Sequence, residues 1–119
     1  MTHFGDRLIE ASRRCKTPLC MGIDPHPGMI PALFGEASAP AGSDAAIRAI
    51  DDFSMACVEQ AIGKVAAIKP QAAFFEQHGP AGMQILQNLG MAAIDSNLLV
   101  IMDAKRGDIG STSQEYAAG

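Results

Sequence analysis

The chain has 119 residues, of which 48% are hydrophobic and 18% are charged, a composition typical of a folded globular protein. Its formal net charge of −4, without a large Lys/Arg cluster, argues against nucleic acid as a partner. No apolar run approaches the roughly 20 residues that cross a bilayer, and the first residues lack a signal-peptide pattern, so we expect a cytoplasmic protein without a membrane partner.

The three cysteines, Cys15, Cys20 and Cys57, do not suggest a metal or a disulfide. They contain no Cys-x-x-Cys pair, and no His follows them at a zinc-finger spacing. We therefore expect reduced, mostly buried thiols and no metal site.

The first part of the chain predicts a helix followed by a strand. Apolar residues at helical spacing over 4–11 predict an opening helix of about 13 residues, with Thr2 as its N-cap. Pro18 then interrupts the pattern. The apolar run 19–23 predicts the first strand, which ends at Asp24.

The middle of the chain predicts a second helix and a second strand. A Gly- and Ala-rich loop over 35–43 precedes a helix that begins near Asp44 and ends near Gly63. Its predicted buried face consists of Ile47, Ile50, Phe53, Ala56, Cys57 and Ala61. The apolar run 65–68 predicts the second strand, which ends at Lys69.

The last part of the chain predicts a third helix and a third strand. Residues 80–89 form an apolar helical pattern with Met83 pointing inward, and Gly90 is expected to end this helix. The run 98–102 predicts a strand buried on both faces. Alternating helices and strands indicate an α/β fold with a parallel sheet, in which ligand-binding groups collect at the carboxyl ends of the strands.

Each predicted strand is followed by at least one charged residue. Asp24 follows the first strand, Lys69 follows the second, and Asp103 and Lys105 follow the third. Asp103 and Lys105 are two residues apart and therefore point to the same side of an extended chain. Gly107 and Gly110 indicate a loop, which would let Asp108 fold back toward this pair. A structural ion pair or a solvated loop is the alternative to a functional site, but three strand ends with charges of mixed sign favour the site.

The segment 103–108, with the sequence DAKRGD, resembles the Asp-x-Lys-x-x-Asp signature of the orotidine 5'-phosphate decarboxylase superfamily. The whole chain is similar to the N-terminal portion of the bacterial, type 2-like enzymes, with 22–25 (GIDP) and 68–70 (IKP) in the same order. The resemblance implies a (β/α)8 TIM barrel, a homodimer and no metal or organic cofactor. It also implies decarboxylation of orotidine 5'-monophosphate to uridine 5'-monophosphate, the last step of pyrimidine synthesis.

The resemblance also implies roles for six residues. Lys105 would donate the proton to the pyrimidine carbon, Asp103 would lie beside the departing carboxylate, and Asp108 would reach across the dimer into the partner's site. The remaining three would bind substrate at the ribose: Asp24, Lys69 and Thr112. A lysine between two carboxylates stays protonated, which suits a proton donor.

A related branch of the superfamily uses magnesium to decarboxylate or cleave hexulose and keto-gulonate phosphates. The resemblance implies a glutamate ligand at the end of the second strand in that branch, where this chain has Lys69. An ammonium group cannot bind a magnesium ion, so the sequence favours the nucleotide decarboxylase.

The length predicts an incomplete barrel, because a full one takes about 250 residues. We expect residues 1–119 to form the N-terminal part of the decarboxylase domain: about three strands with a preceding helix, without the C-terminal strands and their phosphate-binding loops. Such a piece is expected to be inactive alone. The alternatives are a non-catalytic half-barrel that binds a complementing chain, and a small enzyme built from oligomerised half-barrels.

Overall fold

A three-stranded parallel sheet organises the structure, a computed structural model that describes residues 2–105 and 110–118. Its strands, in spatial order, are β1 Cys20–Ile23, β2 Ala67–Pro70 and β3 Leu99–Val100. Ala67 of β2 pairs in parallel register with Cys20 on one side and with Leu99 on the other, and Ile68 pairs in the same way with Met21 and Val100. All three carboxyl ends therefore lie at one edge of the sheet.

Helices connect the strands in the predicted alternation. They are α1 Phe4–Cys15, α2 Asp44–Ala61, α3 Ala73–Glu76, α4 Gly79–Asp95 and α5 Gly110–Ala118. Two short 3-10 turns, Pro27–Met29 and Ala32–Phe34, lie between β1 and α2. The predicted α/β architecture is thus confirmed for the part of the chain that the structure describes.

The main hydrophobic core lies between the sheet and the helices α2, α3 and α4. Ile23 and Ile68 from the strands meet Ile50 of α2 and Leu89 of α4, and each of these side chains is at most 1% exposed. Burying one such side chain contributes about 1.5–3 kcal/mol, so this cluster holds the helices on the sheet.

Two details of the helices differ from the sequence prediction. The N-cap of α1 is His3 rather than Thr2, and its Nδ1 accepts a hydrogen bond from the Gly5 N–H at 3.0 Å. On α2 the residues that the structure buries completely are Ala46, Ala49, Ile50, Ser54, Val58 and Ala61. Four of the predicted residues are only half-buried, because the buried stripe is turned slightly around the helix: Ile47, Phe53, Ala56 and Cys57.

The prediction that Gly90 ends the third helix is wrong. Helix α4 continues through Gly90 to Asp95. Glycine costs only about 1 kcal/mol in a helix interior, and the buried residues Leu89 and Ala93 hold this turn against the core. Met83, which was expected to point inward, is 43% exposed.

The strand boundaries also differ from those predicted. β2 begins later and includes Lys69 and Pro70, whereas β3 is limited to Leu99–Val100. Pro70 has no N–H to donate, and the pairing with β1 resumes at Gln71, whose N–H donates to the Ile23 carbonyl at 3.1 Å.

The cysteine prediction holds in part. All three thiols are free, but Cys20 is exposed and the other two are half-buried rather than buried. None of the described helices is long and apolar enough to cross a membrane.

Candidate active site

Asp103 lies at the centre of the charged edge of the sheet. Its backbone is fixed on β2 and the turn after it, because the Asp103 N–H donates to the Pro70 carbonyl at 3.1 Å and the Ala72 N–H donates to the Asp103 carbonyl at 2.9 Å. Asp103 and Gln71 also form an isolated parallel bridge. The carboxylate therefore projects from an anchored backbone rather than from a free loop.

Three donors from two strand ends surround the Asp103 carboxylate. Oδ2 accepts hydrogen bonds from Lys69 Nζ at 3.1 Å and from Gln71 Nε2 at 3.2 Å. Oδ1 pairs with Lys105 Nζ. The Asp103 side chain is 10% exposed, whereas Lys69 and Lys105 are 40% and 60% exposed. The carboxylate is thus covered and the two ammonium groups face outward, where a ligand can reach them.

The two lysines favour the ionised form of Asp103. The hydrogen bond from Lys105 and then the one from Lys69 hold the pKa of the Asp103 carboxyl below its usual 3.8, against a smaller opposing effect of burial. The edge of the sheet thus presents an ammonium group on each side of one carboxylate at neutral pH.

Gln71 is a member of the site that the sequence reasoning did not identify. It is 5% exposed and binds the same carboxylate oxygen as Lys69. A signal was present, since Gln71 follows Lys69 by two residues and a strand places such residues on one side.

Two of the other predicted residues, Asp24 and Thr112, belong to the part of the chain that the structure describes. Asp24 follows β1 at the same sheet edge and is exposed, and within the described residues it is not a partner of the Asp103 carboxylate. Thr112 belongs to helix α5. Asp108 lies outside the described residues. The structure therefore brings together Asp103, Lys69 and Lys105 from the predicted set.

Over residues 2–105 and 110–118, no three His, Cys, Asp or Glu side chains converge to hold a metal ion. The strongest coordinating group at the sheet edge, the Asp103 carboxylate, already accepts hydrogen bonds from Lys69 and Gln71.

Parallel strands with connecting helices and a charged carboxyl edge define an α/β protein, and its likeness to two crystal structures identifies it as part of a (β/α)8 barrel, as predicted. Two crystal structures share this fold. One, described as an orotidine 5'-phosphate decarboxylase from Streptomyces avermitilis, matches 98% of this chain and 38% of its own with a TM-score of 0.72 and 41% identity. The other, described as an orotidine-monophosphate-decarboxylase from Toxoplasma gondii, matches 95% of this chain and 35% of its own with a TM-score of 0.67 and 30% identity.

Sequence comparison agrees with the fold. The family model for orotidine 5'-phosphate decarboxylase / HUMPS matches residues 17–119. The orotidine 5'-phosphate decarboxylase of Streptomyces coelicolor is 41% identical over 117 residues, and that of Corynebacterium glutamicum strain R is 39% identical over 115 residues. The chain belongs to the orotidine 5'-phosphate decarboxylase / HUMPS family. These two matches include 98% and 97% of the residues of this chain. The chain spans only 39% and 38% of the length of the two relatives, in their N-terminal part.

Proposed function

We propose that this chain supplies the charged half of an active site that decarboxylates orotidine 5'-monophosphate to uridine 5'-monophosphate in cytoplasmic pyrimidine biosynthesis. The observation that carries the proposal is the Asp103 carboxylate held between the ammonium groups of Lys69 and Lys105 at the carboxyl edge of the sheet. Family membership supports the same reaction. The reaction needs no metal or organic cofactor, because the charges that it requires come from side chains.

Lys105 acts as the proton donor. When the bond between the pyrimidine ring and its carboxyl group breaks, carbon dioxide leaves and the electron pair stays on the ring carbon. The Lys105 ammonium stabilises this developing negative charge and transfers one proton to the carbon, and the neutral amine then takes a proton from solvent. Asp103 lies beside the departing carboxylate and keeps Lys105 charged before the step.

The substrate's ribose is bound by the surrounding polar residues. Lys69 and Asp24, at the ends of β2 and β1, contact its hydroxyl groups. Asp108 and Thr112 reach the site of the partner subunit in a homodimer. Asp108 completes the alternation of negative and positive charge along Asp103 and Lys105.

The shared site can be tested by mixing subunits of a full-length protein, obtained by joining residues 1–119 to the C-terminal part of one of the relatives. Lys105→Ala and Asp108→Ala dimers should each be inactive. A dimer with one subunit of each kind keeps one intact site if Asp108 crosses the interface, so random exchange should restore about a quarter of the wild-type activity. Activity that stays at the level of the separate variants, after exchange is confirmed by mass spectrometry, would contradict a shared site.

The choice of reaction is tested against the magnesium-dependent branch of the superfamily. Lys69, at the end of β2, donates to Asp103 Oδ2 and thus occupies the place where that branch requires an oxygen ligand. The full-length protein should consume orotidine 5'-monophosphate equally with EDTA and with added magnesium, and should leave hexulose and keto-gulonate phosphates unchanged. Turnover of a sugar phosphate that EDTA abolishes would replace the proposed function.

Residues 1–119 form a partial barrel domain and are proposed to be inactive alone. Among the described residues, β1 and β3 pair only with β2, so each has an open edge at which further barrel strands can pair. Co-expression of 1–119 with the remaining segment of a full-length relative should give a stable complex with activity. A complex that forms but never decarboxylates the substrate would favour a non-catalytic half-barrel.

A further inference from the structure

The side chain of Gln71 is buried without full use of its hydrogen-bonding groups. It is 5% exposed, its Nε2 donates to Asp103 Oδ2 at 3.2 Å, and its Oε1 has no hydrogen-bond partner among the described residues. An unpartnered buried oxygen costs about 1–3 kcal/mol, whereas leucine would fill a similar volume without that cost. Packing alone therefore gives no reason for an amide at this position, and its one hydrogen bond does.

The geometry fixes which end of the amide faces Asp103. A carboxylate only accepts hydrogen bonds, so the amide nitrogen of Gln71 must point toward it. The backbone of Gln71 is held from both sides, by its N–H bond to the Ile23 carbonyl at 3.1 Å and by its bridge to Asp103. Gln71 therefore offers a donor whose position is set by all three strands.

Lys69 and Gln71 bind the same oxygen but differ in rigidity. Lys69 reaches Oδ2 through a long side chain that is 40% exposed. Gln71 reaches it through a shorter side chain that is buried. With Oδ2 fixed by Gln71, the planar carboxylate can turn only slightly, and Oδ1 remains directed at Lys105 Nζ.

We propose that Gln71 is a positioning residue that sets the orientation of the Asp103 carboxylate and, through it, the position of the Lys105 ammonium. The part of this inference that concerns turnover rests on the proposed function. Small displacements of a reacting group can cost about 100-fold in rate, so removal of the amide should lower kcat more than it raises KM.

Two substitutions of Gln71 in the full-length protein test the inference through the pH profile. Gln71→Leu keeps the volume and removes the donor, and it should lower kcat about 10- to 100-fold at every pH where the wild type is active. Gln71→Glu places a second carboxyl beside Asp103. Two adjacent carboxyl groups share a proton, so the introduced group should have a raised pKa.

The Gln71→Glu variant should therefore be most active at pH values below the pKa of the introduced carboxyl group. While the introduced carboxyl is protonated, its O–H can donate to Asp103 Oδ2 as the amide does. Once it ionises, it repels Asp103, and kcat should fall about 10-fold or more as the pH rises. If Gln71 had a purely structural role, Gln71→Glu would lower kcat without adding this fall in kcat with rising pH.

The matched control is Gln87, an exposed residue on α4 that is far from the proposed chemistry in sequence. Gln87→Leu and Gln87→Glu make the same chemical changes and should keep the wild-type kcat and pH profile. Wild-type kcat and an unchanged profile in both Gln71 variants would overturn the positioning role.

A crystal structure of the Gln71→Leu variant provides a readout that does not depend on the reaction. A rotated Asp103 carboxylate with Lys105 displaced supports the inference, and an unchanged Asp103–Lys105 pair overturns it. A wild-type protein that fails to decarboxylate orotidine 5'-monophosphate refutes the proposed function, and the positioning of Asp103 by Gln71 is still decided by this structure.

Discussion

Among the glycines that the structure describes, Gly82 on α4 leaves the least room for an added methyl group. A Cβ built there would lie 1.8 Å from the Phe75 carbonyl oxygen and 2.9 Å from the His78 Cβ. Real Cβ contacts below 3.0 Å essentially do not occur, and the nearest atom belongs to the backbone. Gly82→Ala must therefore push α4 away from the turn after α3.

The expected effect is a net loss of about 2 kcal/mol or more in the free energy of unfolding. Overpacking a core typically costs about 1–3 kcal/mol, and displaced backbone places this site at the upper end. The higher helix propensity of alanine offsets about 1 kcal/mol of this loss, because alanine stabilises a helix by about that amount relative to glycine. Gly90 on the same helix is the matched control, since a Cβ there meets nothing within 4 Å.

Urea unfolding of the full-length variants, followed by circular dichroism, measures the difference. Gly90→Ala should gain up to about 1 kcal/mol from helix propensity, so the two variants should differ by about 3 kcal/mol. Equal stability of the two alanine variants would refute the reasoning that α4 and the turn after α3 are in backbone contact at Gly82.

Two further predictions concern pH. The lysines lower the pKa of Asp103 below 3.8, so its ionised form stabilises the fold above that pH, and this contribution should be lost as the pH falls from 3.8 through the lower folded-state pKa. Unfolding of the protein in acid can be followed by the fluorescence of a bound dye. In this titration the Asp103→Asn variant should not show the loss of stability that protonation of Asp103 causes in the wild type. Burial lowers the pKa of His78 below 6.5, so the unfolded chain takes up a proton first and stability should decrease as the pH falls below 6.5. Gln at this position can still accept the Gly42 N–H, and urea titrations of His78→Gln should show a flatter pH dependence.

The sequence was sufficient to predict the meeting of Lys69 with Asp103. Each follows an apolar run, and parallel strands necessarily bring their carboxyl ends to one edge. No further information about packing was required, because the topology alone brings these side chains together. The pairing of Lys105 with Asp103 followed from their spacing of two residues.

Features that depend on tertiary packing could not be predicted in this way. Glycine usually marks a helix end, but Gly90 lies inside α4 because buried neighbours outweigh its low helix propensity. The spacing of Gln71 from Lys69 indicates only the side of the strand on which it lies; the burial of its amide and its unpartnered oxygen, on which the proposed positioning role rests, are not visible in a sequence. His3 caps α1 in place of Thr2 through a ring nitrogen that propensity rules rank below a hydroxyl.

The most direct test of the account is the value of kcat/KM for orotidine 5'-monophosphate in full-length Lys105→Ala. Lys64, an exposed lysine that donates to Gln60, provides the control variant Lys64→Ala. Loss of a proton donor and of a charge aimed at the transition state should reduce kcat/KM about 10⁴-fold or more, with the fold intact by circular dichroism. The control should match the wild type. A folded Lys105→Ala variant within tenfold of wild-type kcat/KM would contradict the central claim that this lysine carries the reaction.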